Sequence, residues 1–480
     1  MKNSTTYISS IPASCEKNIN QSLNKDIYKD ELLSILSGSE PDFDINYICD
    51  ILVKRHSTDI SFLSWEEQAS FLQSRALQVL PEDILGARLM DSKNNNIPLS
   101  VKFWIDPTGS NVHLWHAVPM VMLNRLQRMG HKINLVIWDF TAKIGDPTGR
   151  SSERPPLTDE QIQKNLSTYK DQISPFFNTS KANIFYNSEW LRQLTLNELI
   201  ETLSSVSVSK VLQRDDFRKR LNAQQGLSMS EMIYPIVMGI DSVELKNREG
   251  CDIELWGKDQ FLNMQMCRTL MENHKQPPEV IISTDILEGI TWSGLKMSKS
   301  LNNYIALNDN PSDIFWKIMS IPDSLLETYY KSLTEISNTE WNKIKDAMNN
   351  GLLNPKNVKK VLANVIVTII YNKDIAKDSQ LVFDNTFWKW KDYRTLDIGT
   401  HLMGQDMSLI NFLPEILQIS KTEVRRLAES WAITVFLEDW SCVKLNKASV
   451  YDNLRVSFMW SSTLIVKIGK KRFVKIKKEF

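Results

Sequence analysis

The sequence predicts an α/β protein whose parallel-sheet core precedes an α-helical domain and a small α+β domain. Residues 99–105 alternate like a strand, and after a turn at residues 106–109 they lead into a helical pattern from His113 to Met129. A second apolar strand follows at residues 133–137, and a strand–helix–strand unit of this kind builds parallel sheets. Amphipathic helical spacing over residues 311–400 predicts the second domain, and a basic helix with a strand pair predicts the third.

Composition limits the classes of protein that the chain can belong to. Its 480 residues are enough for roughly two to four domains with a sizeable core. Lys plus Arg equals Asp plus Glu at 57 each, so any affinity for nucleic acid must come from local patches. Five cysteines without a C-x-x-C pair predict reduced core thiols in a cytoplasm. The sequence also has neither an apolar run of about 18 residues nor an apolar signal segment, so we expect no membrane partner.

Two motifs together predict a site for a nucleoside triphosphate. His113 and His116 lie three positions apart on one face of a helical turn, near a helix start that favours an anion. Lys296, Lys299 and the residues between them form a cationic loop that follows Gly294. Lysines and neutral imidazoles directed at one triphosphate would stabilise the charge that builds up on the α-phosphate during attack by a nucleophile. A surface loop or a pair of capping histidines explains either motif alone, whereas the pair in this order favours the nucleotide site.

Three further polar residues are candidates for contacts with a small substrate. Asp146 lies in a glycine-containing loop and could receive an ammonium group, although a turn aspartate is an equally good interpretation. Tyr234 and Asp241 lie seven positions apart, close to two helical turns, and therefore face one side of a helix. They could bind a phenolic substrate, but a polar pair in the core is favoured by the pattern alone.

The C-terminal segment carries a local basic patch. Residues 414–430 have the pattern of a basic amphipathic helix with Lys421, Arg425 and Arg426, and residues 464–473 form a strand pair that turns at Gly469. A basic helix and a basic hairpin suggest contact with structured RNA, mainly through its backbone. A solvated lysine face is the alternative. The hairpin residues proposed for RNA contact are Lys470, Lys471 and Arg472.

These motifs resemble the bacterial tyrosyl-tRNA synthetases, a family of class I aminoacyl-tRNA synthetases. The matching stretches run in family order over roughly residues 60–480, and they include 105–108, 139–150, 154–158, 187–191, 234–235, 241–243, 259–260 and 296–300, together with His113 and His116. The resemblance implies an N-terminal extension over 1–60, a Rossmann-like nucleotide-binding catalytic domain over 61–305 and an α-helical tRNA-binding domain over 306–395. Residues 401–480 would form an RNA-binding domain related to a small-subunit ribosomal protein.

The resemblance implies a tyrosine–tRNA ligase that forms tyrosyl-adenylate from L-tyrosine and ATP and transfers it to the 3′ end of tRNA(Tyr). ATP would enter with Mg²⁺ as a substrate, no resident metal or prosthetic group is expected, and the protein would be a homodimer. The residues carried over as catalytic are His113, His116, Lys296 and Lys299. Those carried over for ATP are Asp106, Thr108, Gly257, Asp259, Met297 and Ser298, and those for tyrosine are Asp146, Tyr234, Asp241 and Gln260.

Several tryptophans depart from the family pattern, because they stand where the family has glycine: Trp104, Trp115, Trp138, Trp256 and Trp431, with Trp292 and Trp316 as further candidates. Met238 also replaces a glutamine near the tyrosine ammonium. Three readings follow. The chain is a degenerate paralogue that binds RNA but not ATP, or its pocket is remodelled around the indoles, or its source reads a reassigned stop codon as glycine where the translation has tryptophan.

Composition bears on these readings. Glycine accounts for 16 of 480 residues, about 3.3%, against an average near 7%, while tryptophan accounts for 14. Trp190 stands where the family itself has tryptophan, so not every tryptophan of the chain takes the place of a glycine. A non-catalytic RNA-binding protein and a ligase for another aromatic amino acid are the rival functions, and Tyr234 with Asp241 favours tyrosine.

Overall fold

The structure is a computed structural model, and it falls into two compact units, Met1–Phe383 and Asp384–Phe480, which are described separately. The residues that it describes are 32, 36, 43–107, 112–143, 157–212, 214–224, 226–290, 294–298, 301, 303–388, 400–403, 409–417, 419–430, 432–436, 442–445, 463–468 and 472–478.

The core of the first unit is a six-stranded sheet in the order β1-β6-β5-β2-β3-β4. Its strands are β1 (Gln78–Leu80), β2 (Ser100–Ile105), β3 (Lys132–Ile137), β4 (Asn183–Tyr186), β5 (Ile253–Gly257) and β6 (Val280–Thr284). All neighbours pair in parallel except β1, which is antiparallel to β6 at the edge. Strand β2 is buried along its whole length, which explains its apolar sequence. The chain runs outward from β2 on both sides, so the sheet has a topological switch point between β2 and β5.

Helices precede, connect and follow the strands of this sheet. They are α1 (Ile45–Ser57), α2 (Trp65–Arg75), α3 (Glu82–Asn95), α4 (Leu114–Arg128), α5 (Asp159–Ser167), α6 (Tyr169–Ile173), α7 (Ser188–Leu191), α8 (Leu196–Ser204), α9 (Val208–Val211), α10 (Asp215–Asn222), α11 (Met229–Glu249), α12 (Phe261–Asn273), α13 (Pro311–Met319), α14 (Leu326–Leu333), α15 (Asn338–Asn349), α16 (Pro355–Ile370) and α17 (Lys373–Trp388). The strand–helix–strand unit predicted from the sequence is β2, α4 and β3.

The segment before residue 61 contributes to the core of the first unit. Helix α1 packs against α16, and its residues Ile48 and Leu52 are fully buried. Arg55 forms a buried ion pair with Glu340, with 2.8 Å between Nη2 and Oε1. The domain boundaries expected from the sequence stay predictions. Among the described residues, no helix combines the length and apolar character needed to cross a membrane.

Buried cysteines agree with the expectation of reduced core thiols. Cys49, Cys251 and Cys267 are free and buried. Burial raises the pKa of Cys49 to about 12, so this thiol stays protonated at neutral pH.

The second unit contains a five-stranded sheet in the order β7-β11-β10-β8-β9 and two helices. The strands are β7 (Thr400–Met403), β8 (Ile433–Phe436), β9 (Cys442–Leu445), β10 (Thr463–Ile468) and β11 (Arg472–Lys478), and the helices are α18 (Leu409–Leu417) and α19 (Lys421–Glu429). Strands β10 and β11 are antiparallel, with Ile468 opposite Arg472, which confirms the predicted strand pair. Gly469, Lys470 and Lys471 lie outside the described residues.

The single basic helix predicted over residues 414–430 was wrong, because the segment forms two helices. Ser420 has an extended backbone, and its side chain accepts a hydrogen bond from the backbone N–H of Glu423, which begins α19 as a new helix. The predicted cations Lys421, Arg425 and Arg426 all lie on α19.

Helix α11 carries two predicted substrate residues, and its start is held by a capping box. The Ser228 hydroxyl accepts the Glu231 N–H at 3.2 Å, and the Glu231 carboxylate accepts the Ser228 N–H at 3.1 Å. Ser228→Ala should therefore lower the free energy of unfolding by about 1 kcal/mol in a urea titration. Ser70, an exposed serine within α2, is the control, and an equal loss in Ser70→Ala would contradict the capping role.

Candidate functional site

The two predicted phosphate motifs meet at the start of α4. The backbone N–H of Leu114 donates to the Ile305 carbonyl at 2.8 Å, and that of Leu307 donates to the Val112 carbonyl at 2.9 Å. His113 forms an isolated β-bridge with Ala306 between these bonds. The segment that follows the Lys296 loop is therefore paired with the segment that begins α4, although far apart in sequence.

The two histidines lie against each other at this helix start. Their ring centroids are 3.9 Å apart. The backbone N–H of His113 donates a hydrogen bond to Nδ1 of His116 at 3.3 Å. Because Nδ1 of His116 accepts this bond, the neutral ring carries its proton on Nε2 and can donate it to a ligand. His113 is 4% exposed and caps the helix.

The lysine loop is held by one asparagine. Asn303 accepts the Ser298 N–H at 2.8 Å and donates through Nδ2 to the Lys296 carbonyl at 3.2 Å. Met297 is fully buried, and its N–H donates to the Leu287 carbonyl at 2.9 Å. Fixing the backbone in this way leaves the Lys296 ammonium 5.2 Å from the centroid of the Trp115 ring. Lys299 lies outside the described residues.

The predicted ATP residues follow the ends of β2 and β5. Asp106 follows β2, and its carbonyl accepts the Tyr169 hydroxyl at 3.4 Å; Thr108 lies outside the described residues. Gly257 ends β5, and a Cβ built there would meet Oδ1 of Asp259 at 2.9 Å, so a side chain at this position would displace the Asp259 carboxylate. Gln260 is buried and accepts a hydrogen bond from Nδ2 of Asn263 at 2.6 Å.

Asp241 is fully buried on α11 and is oriented by two donors. The Trp190 indole N–H donates to Oδ1 at 2.7 Å, and Nδ2 of Asn187 lies 3.4 Å from Oδ2. Burial raises the pKa of Asp241 to about 7, partly offset by the positive charge of Lys102. Tyr234 is buried on the same helix, and Asp146 lies outside the described residues. The carboxylate is therefore a pre-oriented acceptor whose charge is sensitive to pH.

A buried charged cluster lies close enough to Asp241 to affect its pKa, and the sequence analysis missed it. Nζ of Lys102 is 2.8 Å from Glu254 and donates to the Ser242 hydroxyl at 2.7 Å. Burial raises the pKa of Glu279 well above its usual range, so this carboxyl keeps its proton beside the ion pair. Glu254, Glu279 and Cys267 are close enough to hold a metal ion, but the Lys102 ammonium already supplies the positive charge there. Lysine inside an apolar strand was the available sequence signal.

Three indoles stack at the carboxyl ends of three neighbouring strands. Trp104 lies in β2, Trp138 follows β3 and Trp256 lies in β5. The Trp104 ring is 3.9 Å from that of Trp138 and 4.1 Å from that of Trp256 between centroids. Open α/β sheets bind ligands outside these strand ends at the switch point, so the indoles occupy the expected ligand crevice.

Two of these indoles also leave polar groups unsatisfied. Trp104 is 2% exposed and Trp138 is fully buried, and within the part of the chain that the structure describes neither indole N–H has a hydrogen-bond partner. A buried donor without a partner costs about 1–3 kcal/mol. Trp190 differs, because its N–H is paired with Asp241.

The three cations predicted on the basic helix are exposed on α19. Val424 and Ala428 are buried in the core of that unit, whereas Lys421, Arg425 and Arg426 are exposed. Arg426 pairs with Glu423, with 2.9 Å between Nε and Oε2. The side chain of Arg472 lies outside the described residues. Helix α19 therefore presents cations to solvent while its other face anchors it.

Comparison with known proteins defines the class. Residues 93–388 match the model of the class I tRNA synthetases (W and Y). The chain belongs to this family, and the confirmed fold is an α/β parallel-sheet core followed by helices and a small α+β unit.

The similar proteins narrow the class further. A relative from Carboxydothermus hydrogenoformans, named tyrosine–tRNA ligase, is 36% identical over 419 residues, which cover 86% of this chain and 98% of the relative. Another of that name, from Geobacter metallireducens, is 38% identical over 325 residues, 68% of this chain and 79% of the relative. The crystal structure of a C-terminally truncated mitochondrial tyrosyl-tRNA synthetase from Aspergillus nidulans has a TM-score of 0.55 at 18% identity. The match covers 71% of this chain and 98% of the chain in that structure, and it supports the fold.

Proposed function

We propose that this chain is a tyrosine–tRNA ligase that acts in the cytoplasm as a homodimer. The observation that carries the proposal is a buried, pre-oriented carboxylate, Asp241, in the same α/β unit as the paired histidines and Lys296. L-tyrosine and ATP react in the first step, and the 3′ end of tRNA(Tyr) accepts the tyrosyl group in the second. Mg²⁺ belongs to the ATP substrate, since imidazole and ammonium donors suit phosphate oxygens rather than this cation.

The first step is attack of a tyrosine carboxylate oxygen on the α-phosphate of ATP, with pyrophosphate leaving. The phosphorus–oxygen bond to pyrophosphate breaks as the bond to the carboxylate forms, and no net proton transfer is required. Negative charge builds on the α-phosphate oxygens, where the His116 Nε2–H and the ammonium groups of Lys296 and Lys299 would donate. Donors directed at developing charge contribute about 2.7–4 kcal/mol each.

Recognition of tyrosine rests on its hydroxyl. We infer that Asp241 accepts a hydrogen bond from it, that Tyr234 and Asp146 contact the ammonium group and that Gln260 makes a further substrate contact. The Trp190 and Asn187 donors hold the carboxylate in one orientation. A site built to pair a buried hydroxyl rejects the analogue without it by about 10⁴–10⁵, so phenylalanine is excluded without editing.

Tyrosine-dependent ATP–pyrophosphate exchange tests this function. Because indoles occupy the crevice, the experiment compares two proteins. The first, called the written chain, has tryptophan at positions 104, 115, 138 and 256. The second is an open-site variant that combines Trp104→Gly, Trp115→Gly, Trp138→Gly and Trp256→Gly. We expect exchange in the open-site variant with tyrosine and none above background with phenylalanine. A folded open-site variant that shows no exchange but still binds tRNA would instead support the inactive RNA-binding paralogue.

We also propose that the exposed cations of α19 bind the backbone of tRNA. Lys421→Ala with Arg425→Ala should weaken tRNA binding and reduce the slope of log affinity against log salt by about one per lost phosphate contact. A filter-binding titration at several salt concentrations measures both. Lys164→Ala with Lys181→Ala removes the same charge from exposed sites of the first unit and is the control. Equal losses in both pairs would mean that only total charge matters.

A further inference from the structure

Trp115 adds a fourth indole to the crevice described above. It lies between His113 and His116 at the start of α4, and a Cβ at Gly257 would meet its ring atom Cζ2 at 3.7 Å. The Lys296 ammonium lies over its ring, 5.2 Å from the centroid. Trp115 therefore bridges the histidine motif, the lysine loop and the end of β5, which is the space that a triphosphate held by these donors would need.

We infer that the working protein carries glycine at positions 104, 115, 138 and 256, and that its source inserts glycine at codons that the written sequence renders as tryptophan. The inference rests on the proposed function, because an adenylate-forming site needs this crevice open. Each indole brings about 150–250 Å² of surface, so the four together close a site meant for a nucleotide.

The physical pattern of the indoles supports an exchange rather than a remodelled pocket. The N–H groups of Trp104 and Trp138 have no hydrogen-bond partner among the described residues, which costs about 1–3 kcal/mol for each buried donor. No side chain is as small as that of glycine, which lets backbone approach a ligand closely. The chain is short of glycine, with 16 residues, and has 14 tryptophans, so an exchange of tryptophan for glycine moves both counts towards ordinary values.

Trp190 shows that tryptophan itself belongs to this protein. Its N–H donates to Asp241 at 2.7 Å, and the Arg248 guanidinium lies 5.2 Å from its ring centroid. Its paired N–H distinguishes Trp190 from Trp104 and Trp138, whose N–H groups have no hydrogen-bond partner among the described residues. Two codons are therefore expected, one for tryptophan at position 190 and another, read by a glycine tRNA, at the four crevice positions.

Tandem mass spectrometry of the protein isolated from its natural source tests the inference without any assay of activity. We expect peptides with glycine at positions 104, 115, 138 and 256 and with tryptophan at position 190. Tryptophan at the four crevice positions would overturn the inference whatever the protein does. Glycine at all four would establish it, even if the function proposed above failed.

Binding measurements on recombinant protein give a second test. Calorimetric titration with tyrosine and with ATP should detect binding to the open-site variant and at least a hundredfold weaker binding to the written chain. Restoring tryptophan at position 104 alone in the open-site variant should remove most of the gain, and Trp190→Gly in that variant should also weaken tyrosine binding. Equal ligand affinity or equal exchange activity in the written chain would overturn the steric argument. Glycine in natural peptides with a folded but inactive open-site variant would reject the ligase function and leave the codon inference standing.

Discussion

Asp241→Ala in the open-site variant should reduce the preference for tyrosine over phenylalanine by about 10⁴-fold or more. Asp241 is fully buried, and its acceptor oxygens are oriented by Trp190 and Asn187, so its removal takes away the charged acceptor that these two donors hold in place. The measurement is the ratio of kcat/KM for tyrosine and phenylalanine in ATP–pyrophosphate exchange. Most of the change should come from loss of tyrosine activity.

Asp241→Asn is the matched control for this result. It keeps an oxygen acceptor and the side-chain shape but removes the charge, so it should retain part of the preference that alanine loses. Thermal unfolding of each variant separates recognition from folding, because alanine leaves the Trp190 donor unpaired at a cost of about 1–3 kcal/mol. An alanine variant that still charged tyrosine normally would reject Asp241 as the hydroxyl acceptor.

The same carboxyl gives the tyrosine site a pH dependence. Its pKa is raised by burial to about 7, against an ordinary value near 3.9, so it is protonated in the free protein below neutrality. The KM for tyrosine should rise as the pH falls from about 8 to 6. The stability effect has the corresponding sign: the folded chain holds this proton more tightly, so the contribution of Asp241 to stability falls as the pH rises from about 4 to 7.

Local sequence patterns were enough to predict the central elements of the core, whereas contacts between residues far apart in sequence were seen only in the structure. Alternation and helical spacing were enough for β2, α4 and β3, because each element buries one continuous apolar pattern. They were enough to place Tyr234 and Asp241 on one helix as well. They could not show that Asn303 holds the Lys296 loop or that Lys102 meets Glu254 across the sheet, since neither pairing has a sequence period. The break between α18 and α19 was missed because Ser420 follows an unbroken apolar pattern.

The indole stack shows a different limit of sequence reasoning. Resemblance indicated that the four tryptophans were out of place, but it left open whether a pocket could be remodelled around them. Geometry narrows that choice, because three rings stack in the crevice itself and two of their N–H groups lack partners among the described residues. A remodelled pocket would be expected to provide a ligand crevice elsewhere at the same strand ends.

Glu335→Gln should destabilise the written chain by about 3–5 kcal/mol, because it leaves buried cations without their counter-ion. Glu335 is buried, with Oε1 at 3.0 Å from Arg125 and Oε2 at 3.2 Å from Arg128. Both arginines lie in the last part of α4, the helix that begins beside His113. Urea unfolding at pH 7 measures the loss, and it does not require an active protein.

Glu327→Gln is the matched control, since the pKa values of both carboxyls are lowered to about 2 but in different surroundings. Glu327 is 35% exposed and is bonded to Lys331 and Lys345, so its loss should cost at most about 1 kcal/mol. Burial alone would raise the pKa of Glu335, but Arg125 and Arg128 outweigh burial and lower it. Its contribution to stability is therefore complete above about pH 4.5 and is lost as the pH falls towards 2. The difference between the written chain and Glu335→Gln should shrink over that range, and a difference that stays constant from pH 7 to pH 3 would mean that the charge of Glu335 does not hold α4 in place.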